Sequence, residues 1–142
     1  MKVPILRKDK EMSLPTYQTS GSVAFDFMAA HNKVVESHQV CLISTGLVIC
    51  TPPGYSLILA ARSSTPLKKG LMLANGIGIV DQDYCGPDDD VKILVYNFTE
   101  FSVEVKKGDR IAQGFFLPLP RISWEEIDSL SAPSRGGYGS TG

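Results

Sequence analysis

Residues 75–86, Asn-Gly-Ile-Gly-Ile-Val-Asp-Gln-Asp-Tyr-Cys-Gly, set two carboxylates (Asp81, Asp83), a phenol (Tyr84) and a thiol (Cys85) behind an apolar run spaced by glycines. Glycine at 76 and 78 lets another backbone or a ligand come close, because no side chain stands in the way. An acid at the end of such a floor, with an aromatic three residues later, can serve a small planar ligand that carries a reactive group. Apolar, β-branched residues broken by turn formers predict a short β-hairpin here. The same pattern also fits an ordinary hairpin with solvated acids, since short motifs match by accident.

The elements that must position this stretch are short strands. Val3, Ile5 and Leu6 predict a strand and then a loop through Pro15, and residues 23–29 predict a buried strand interrupted by Asp26. Residues 31–36 read as a polar connection, residues 40–50 as one bulged strand or two short ones around Thr45-Gly46, and residues 55–60 as another strand after the Pro52-Pro53-Gly54 turn. Ser64 or Thr65 as cap, Pro66 in the first turn and Gly70 as stop predict one short helix near residues 64–70. Residues 91–96 form an apolar run broken by Lys92, Phe101, Val103 and Val105 alternate with polar residues, and residues 111–117 are apolar until Pro118 and Pro120. Many short strands with turns every 8–12 residues indicate an all-β barrel or sandwich. From Ser129 the composition shifts to Ser, Pro, Gly and Arg, so residues 1–128 are expected to form one domain and 129–142 a flexible tail.

Composition narrows the function classes. A chain of 142 residues with 43% hydrophobic and 20% charged content is a single globular domain. A net charge of −1 argues against nucleic acid, and Lys68-Lys69 and Lys106-Lys107 are too short for a phosphate-backbone stripe. No apolar run reaches the about 18 residues of a membrane span, and the first residues lack the apolar region of a signal peptide. The three cysteines are odd in number and form no Cys-x-x-Cys pair, which supports neither a disulfide framework nor a zinc site. A cytoplasmic location is the default expectation. Asp88-Asp89-Asp90 reads as a solvated loop rather than a metal site. His31 and His38 show no evident partners, and nothing adjacent would activate Cys85.

Five stretches in order carry a resemblance: residues 24–27 (Ala-Phe-Asp-Phe), 61–64 (Ala-Arg-Ser-Ser), 78–86, 108–113 (Gly-Asp-Arg-Ile-Ala-Gln) and 135–142. Together they resemble the five motifs of the trimeric dUTP pyrophosphatases, the dUTPases, across nearly the whole chain. The resemblance implies a jelly-roll-like β-barrel, a homotrimer with active sites built between subunits, and Mg²⁺-dependent hydrolysis of dUTP to dUMP and pyrophosphate. Asp81 falls at the catalytic acid, where a carboxylate draws off the proton of the attacking water and aims it in line. Tyr84 falls beneath the deoxyribose, where its ring leaves no room for a 2′-hydroxyl. Asn75 falls at the uracil contact, beside the backbone of Gly78, Ile79 and Val80, whose fixed donors and acceptors reject cytosine.

The same resemblance assigns Arg62, Ser63 and Ser64 to the phosphates, at a predicted helix start whose free N–H groups favour an anion. Gln113 donates to a phosphate oxygen, and Asp26 holds a metal-bound water, whereas Asp109 and Arg110 are expected in an internal ion pair or turn contacts and Asp83 in a structural role. In the tail, Arg135 meets phosphate, Tyr138 covers the uracil, and Ser140 and Thr141 offer hydroxyls to the terminal phosphate. Several positions depart from the family pattern: Phe25 for Tyr, Ala61 for Pro, Ser64 for Gly, Tyr138 for Phe, and an Arg135–Tyr138 spacing of three rather than five. The tail after Trp124 has about 18 residues and at ~3.3 Å each can span ~60 Å, enough to reach a neighbouring subunit.

Three rivals share some of these features. A dCTP deaminase, or a bifunctional deaminase-dUTPase, fits Arg62-Ser63-Ser64, but Leu94 stands on the strand before Asn97 where that chemistry needs a glutamate. A non-catalytic regulatory dUTPase-like protein would be favoured by a lost Asp81 or fifth motif. A capsid or carbohydrate-binding jelly roll would explain the strands but not the motifs.

Overall fold

The computed structural model describes residues 1–137. Eleven strands and one helix follow in the order β1 (Ile5–Arg7), β2 (Phe25–Met28), β3 (Lys33–Val35), β4 (Val40–Ser44), β5 (Leu47–Ile49), β6 (Tyr55–Ala60), α1 (Ser64–Lys69), β7 (Leu71–Leu73), β8 (Gly78–Val80), β9 (Lys92–Asn97), β10 (Val103–Val105) and β11 (Arg110–Pro118). All pairings are antiparallel. They make a four-stranded sheet β2-β11-β6-β8, a three-stranded sheet β4-β9-β7, and two ribbons, β1-β5 and β10-β3. The chain is therefore an all-β, jelly-roll-like barrel with one short helix.

Between the sheets lie Phe27, Leu57, Leu71, Val95, Val105 and Ile111, none of which exposes any surface. The apolar positions of β9 alternate as expected of a strand with one buried face: Ile93 and Val95 face the core, while Lys92 is exposed. Asn97 ends the strand fully buried. Its amide donates to Val35 O (2.9 Å) and Phe101 O (2.8 Å), and its oxygen accepts from the Thr99 N–H (2.9 Å) and hydroxyl (2.8 Å). Every polar atom of that side chain is paired, as burial demands.

Several expectations change. Residues 75–86 are not a hairpin: β7 belongs to the three-stranded sheet and β8 to the four-stranded one, so Asn75-Gly76-Ile77 is a turn that carries the chain across. The alternation that suggested two paired strands comes from two strands with different partners, β9 and β6. Residues 31–36 contain a strand, β3, whose edge pairing with β10 compensates for two exposed residues of three. The helix begins at Ser64 with Ser63 at its N-cap position, and no side chain there caps it. Gly70 stops it in the left-handed conformation at φ 64°.

Three polar expectations also change. Cys50 and Cys85 form a disulfide, with Cα atoms 5.1 Å apart, and Cys41 is the free thiol. Asp90 is not in a solvated loop but is 5% exposed. Its carboxylate accepts from the Ser44 hydroxyl (2.5 Å), Lys92 Nζ (3.1 Å) and Lys8 Nζ (3.3 Å). Burial alone would raise its pKa, yet Ser44, Lys92 and Lys8 together hold it below the usual carboxylate value. His38 also has partners, Glu100 at 3.2 Å and the Tyr96 hydroxyl at 3.3 Å.

Candidate active site

Strand β8 forms one wall of a cavity of about 360 Å³, a size suited to a small organic ligand. Asn75, Gly78, Ile79, Val80, Asp81 and Tyr84 all line it, facing Leu94 and Lys92 of β9. Six of the expected site residues are thus brought to one place by the step from β7 to β8. Gly78 is buried there because an added Cβ would lie 2.9 Å from Leu59 Cδ1, so its missing side chain serves the β6–β8 packing. Gly76, at φ 72°, permits the turn.

Asp81 stands just past the end of β8 and is exposed, with no ion-pair partner among the described residues. Its side chain is free to accept from water. The ring of Tyr84 is held by its hydroxyl, which donates to the Asp90 carbonyl at 3.2 Å. Lys92, whose pKa is raised chiefly by its hydrogen bond to Asp90, lines the facing β9 side of the cavity. The sequence had one signal for this lysine, a lone charge at the head of an otherwise apolar strand.

The remaining candidates gather elsewhere. Arg62 and Ser64 line a second cavity of about 270 Å³ with Thr65, Lys68, Lys69 and Arg110, and it shares no residue with the first. Asp26 sits against this basic group, accepting from Arg62 Nε (2.8 Å) and an Arg110 terminal nitrogen (3.3 Å). Arg110 thus belongs with Asp26, while Asp109 pairs with Lys69 at 2.7 Å, the bond that chiefly lowers its pKa. Gln113 donates to Ala61 O at 3.0 Å across the β11–β6 pairing. Ser63 is exposed, and Arg135 lies on an exposed stretch. Tyr138, Ser140 and Thr141 fall outside the described residues.

The described residues contain no cluster of three or more side chains able to hold a metal ion directly. Asp26 is 6% exposed and already bonded to two guanidinium groups, which does not suit a direct ligand. A carboxylate has about four acceptor positions, and the two bonds leave capacity for a water that belongs to a cation. The donor set therefore fits a metal brought by the ligand and reached through water. No helix among these residues is long and apolar enough to cross a membrane.

Comparison with known proteins agrees with this geometry. The family model described as dUTPase matches residues 10–142. A deoxyuridine 5′-triphosphate nucleotidohydrolase of Desulfitobacterium hafniense is 40% identical over 147 residues, spanning 100% of this chain and 95% of its own. One from Anaplasma marginale is 35% identical over 148 residues, with 100% and 99% covered. Among solved structures, the dUTPase from Streptococcus mutans superposes with a TM-score of 0.79 at 29% identity, covering 87% of this chain and 100% of that one. The Staphylococcus bacteriophage 80alpha dUTPase with dUPNHPP reaches 0.88 over 99% and 98%, but at 21% identity that likeness concerns the fold alone. With a family match over almost its full length and relatives above a third identical end to end, the chain belongs to the dUTPase family.

Proposed function

We propose that this chain hydrolyses dUTP to dUMP and pyrophosphate, with water attacking the α-phosphorus and Asp81 as general base. The observation that carries the mechanism is a free carboxylate at the rim of a base-sized cavity, beside Asn75 and Tyr84. Asp81 takes the water's proton as the oxygen bonds to phosphorus and the α–β bridging bond breaks, releasing pyrophosphate. Asn75 and the β8 backbone read the uracil edge, because a cytosine edge would leave buried polar groups unpaired. Tyr84 closes the space that a 2′-hydroxyl would fill. Magnesium, chelated by the triphosphate, would neutralise developing charge on the phosphates, with Asp26 reaching its water shell. Leu94 in the cavity wall stands where a deaminase needs its glutamate, and Asn97 spends its bonds on Val35, Phe101 and Thr99, so deamination is disfavoured. We place this activity in the cytoplasm, where it clears dUTP and supplies the dTMP precursor.

The cavity lined by Arg62 and Ser64, which with Ser63 and Gln113 we assign to the phosphates, shares no lining residue with the Asp81 cavity in one chain. A homotrimer supplies one from each of two neighbours. Exposed Ile122, Trp124, Ile127 and Leu130, the last 81% and Trp124 92% accessible, support an arm that packs on another copy. From there Arg135, Tyr138, Ser140 and Thr141 would close over the neighbour's substrate. Sedimentation is expected to give a trimer. Truncation after residue 128 should lower kcat/KM by about 100-fold through lost positioning while the trimer survives; full activity in the truncated protein would remove the tail from the mechanism.

The direct test is pyrophosphate release from dUTP, dCTP, dTTP and UTP with Mg²⁺. Turnover of dUTP alone, with no ammonia from dCTP, is expected. A further outcome follows from Tyr84: Tyr84→Ala should raise the UTP-to-dUTP ratio of kcat/KM by about tenfold or more, as opening a steric pocket does. An unchanged ratio would show that the ring does not exclude the 2′-hydroxyl.

A further inference from the structure

The loop that follows Asp81 has few ties to the barrel. Within residues 81–87 most hydrogen bonds are local: Tyr84 N–H to Asp81 O (3.4 Å) and Cys85 N–H to Asp83 O (2.9 Å). Gly86 N–H reaches Asp89 Oδ2 at 2.7 Å, and the Tyr84 hydroxyl reaches the loop's own far end at Asp90. Among the described residues, one hydrogen bond crosses from this loop to another strand, Gln82 Nε2 to Tyr55 O at 2.9 Å. The other cross-link is covalent, Cys85 to Cys50.

Cys50 is the fixed end. It follows β5 directly, and its N–H donates to Pro4 O at 3.1 Å, continuing the β1–β5 ribbon. Cys85 lies in the sparsely tied loop, next to Tyr84 and four residues after Asp81. Both are half-buried, so small thiols and disulfides can reach them. We infer that Cys50 and Cys85 form a reversible oxidation site whose state sets how firmly the loop carrying Asp81 and Tyr84 is held. The inference on loop order is independent of the substrate; its effect on turnover rests on the function proposed above.

The reaction partner is a small-molecule disulfide of the glutathione class. A cysteine thiolate attacks one of its sulfurs, expelling one glutathione thiolate and leaving a mixed disulfide. The second cysteine thiolate then attacks the protein sulfur of that mixed disulfide and expels the second glutathione. Two electrons pass from the cysteine pair to one glutathione disulfide, which becomes two thiols, and the two cysteine protons end on them. Disulfides in reducing compartments are usually transient and redox-sensing rather than permanent, which is consistent with a pair that cycles.

The test uses the full-length protein carrying Cys41→Ser, so that every thiol signal comes from the pair. It is poised with reduced or oxidised glutathione and read three ways. Alkylation should find both thiols free in the reduced form and none in the oxidised form. Amide hydrogen exchange of residues 81–87 should be faster in the reduced form while β6 and β9 stay protected. The KM for dUTP should rise about fivefold on reduction and return on reoxidation, because a looser loop positions substrate less well. Adding Cys50→Ser should fix the reduced behaviour under both poises. Thiols that stay free under oxidised glutathione, or exchange in residues 81–87 that ignores the poise, would overturn the inference. If dUTP were turned over in neither form, the proposed function would fail, while alkylation and exchange would still decide the redox site.

Discussion

Asp81→Asn is expected to lower kcat for dUTP by about 10²–10⁴-fold, the range supplied by a positioned general base. The amide that replaces the carboxylate has nearly the same shape but cannot take a proton at neutral pH. Its NH₂ group would also present donors to the water that must donate. Binding should survive, because Asp81 is only one of the residues lining the cavity, most of whose wall comes from β8, Asn75, Tyr84 and β9. The dissociation constant of a non-hydrolysable dUTP analogue should stay within about threefold of the original, which places the loss in the transition state. Asp81→Glu separates proton transfer from aim: it keeps the base but moves it about 1 Å, and a misplacement of that size costs about 10²-fold. Near-normal turnover in Asp81→Asn would leave the fold intact and the mechanism wrong.

Much of this arrangement was visible in the chain before folding, and the exceptions share a cause. Strands β2, β6, β9 and β11 announce themselves as apolar runs because both sheets bury them. The residues of β8 were legible because glycine spacing and Asp81 lie close in sequence. What could not be read depended on pieces far apart. Cys50 and Cys85 are separated by 35 positions, and an odd cysteine count gives no hint of which two meet. Residues 75–86 look like a hairpin because alternation reveals that strands pair but not with whom. Asp26 reads as a lone acid in a strand until Arg62 and Arg110 arrive from 36 and 84 residues away. In the proposed trimer the Arg62 group and the Asp81 cavity come from different copies, so one chain carries them only as two separate clusters.

Asp90→Ala is expected to destabilise the protein by about 2–3 kcal/mol, since it strips the acceptor from two ammonium groups and the half-buried Ser44 hydroxyl together. Lys8 and Lys92 are each more than a third exposed, so water recovers part of their solvation and keeps the loss below that of a fully buried pair. For a domain of this size the melting temperature should fall by roughly 6–10 °C. The pH dependence identifies the cause. The folded pKa of Asp90 lies below its unfolded value, near 3.8, so its contribution is present above that value and disappears as pH falls through the folded one. That of Lys92 is raised above 10.5, so its share is present below 10.5 and disappears as pH rises through the folded value. The gap between wild type and Asp90→Ala should therefore be widest between these limits and narrow on both sides, read by thermal melts across the range. A gap of constant size would mean that lost packing, not lost charge, is responsible. Asp90→Ala keeps the main-chain carbonyl that accepts from the Tyr84 hydroxyl. Without the carboxylate's bonds to Ser44, Lys92 and Lys8 that carbonyl is less firmly placed, so the variant should discriminate less well between dUTP and UTP. That change in substrate choice, arising from a carboxylate anchored to strands β4 and β9, would show that the Tyr84 ring is positioned by the Asp90 cluster behind it.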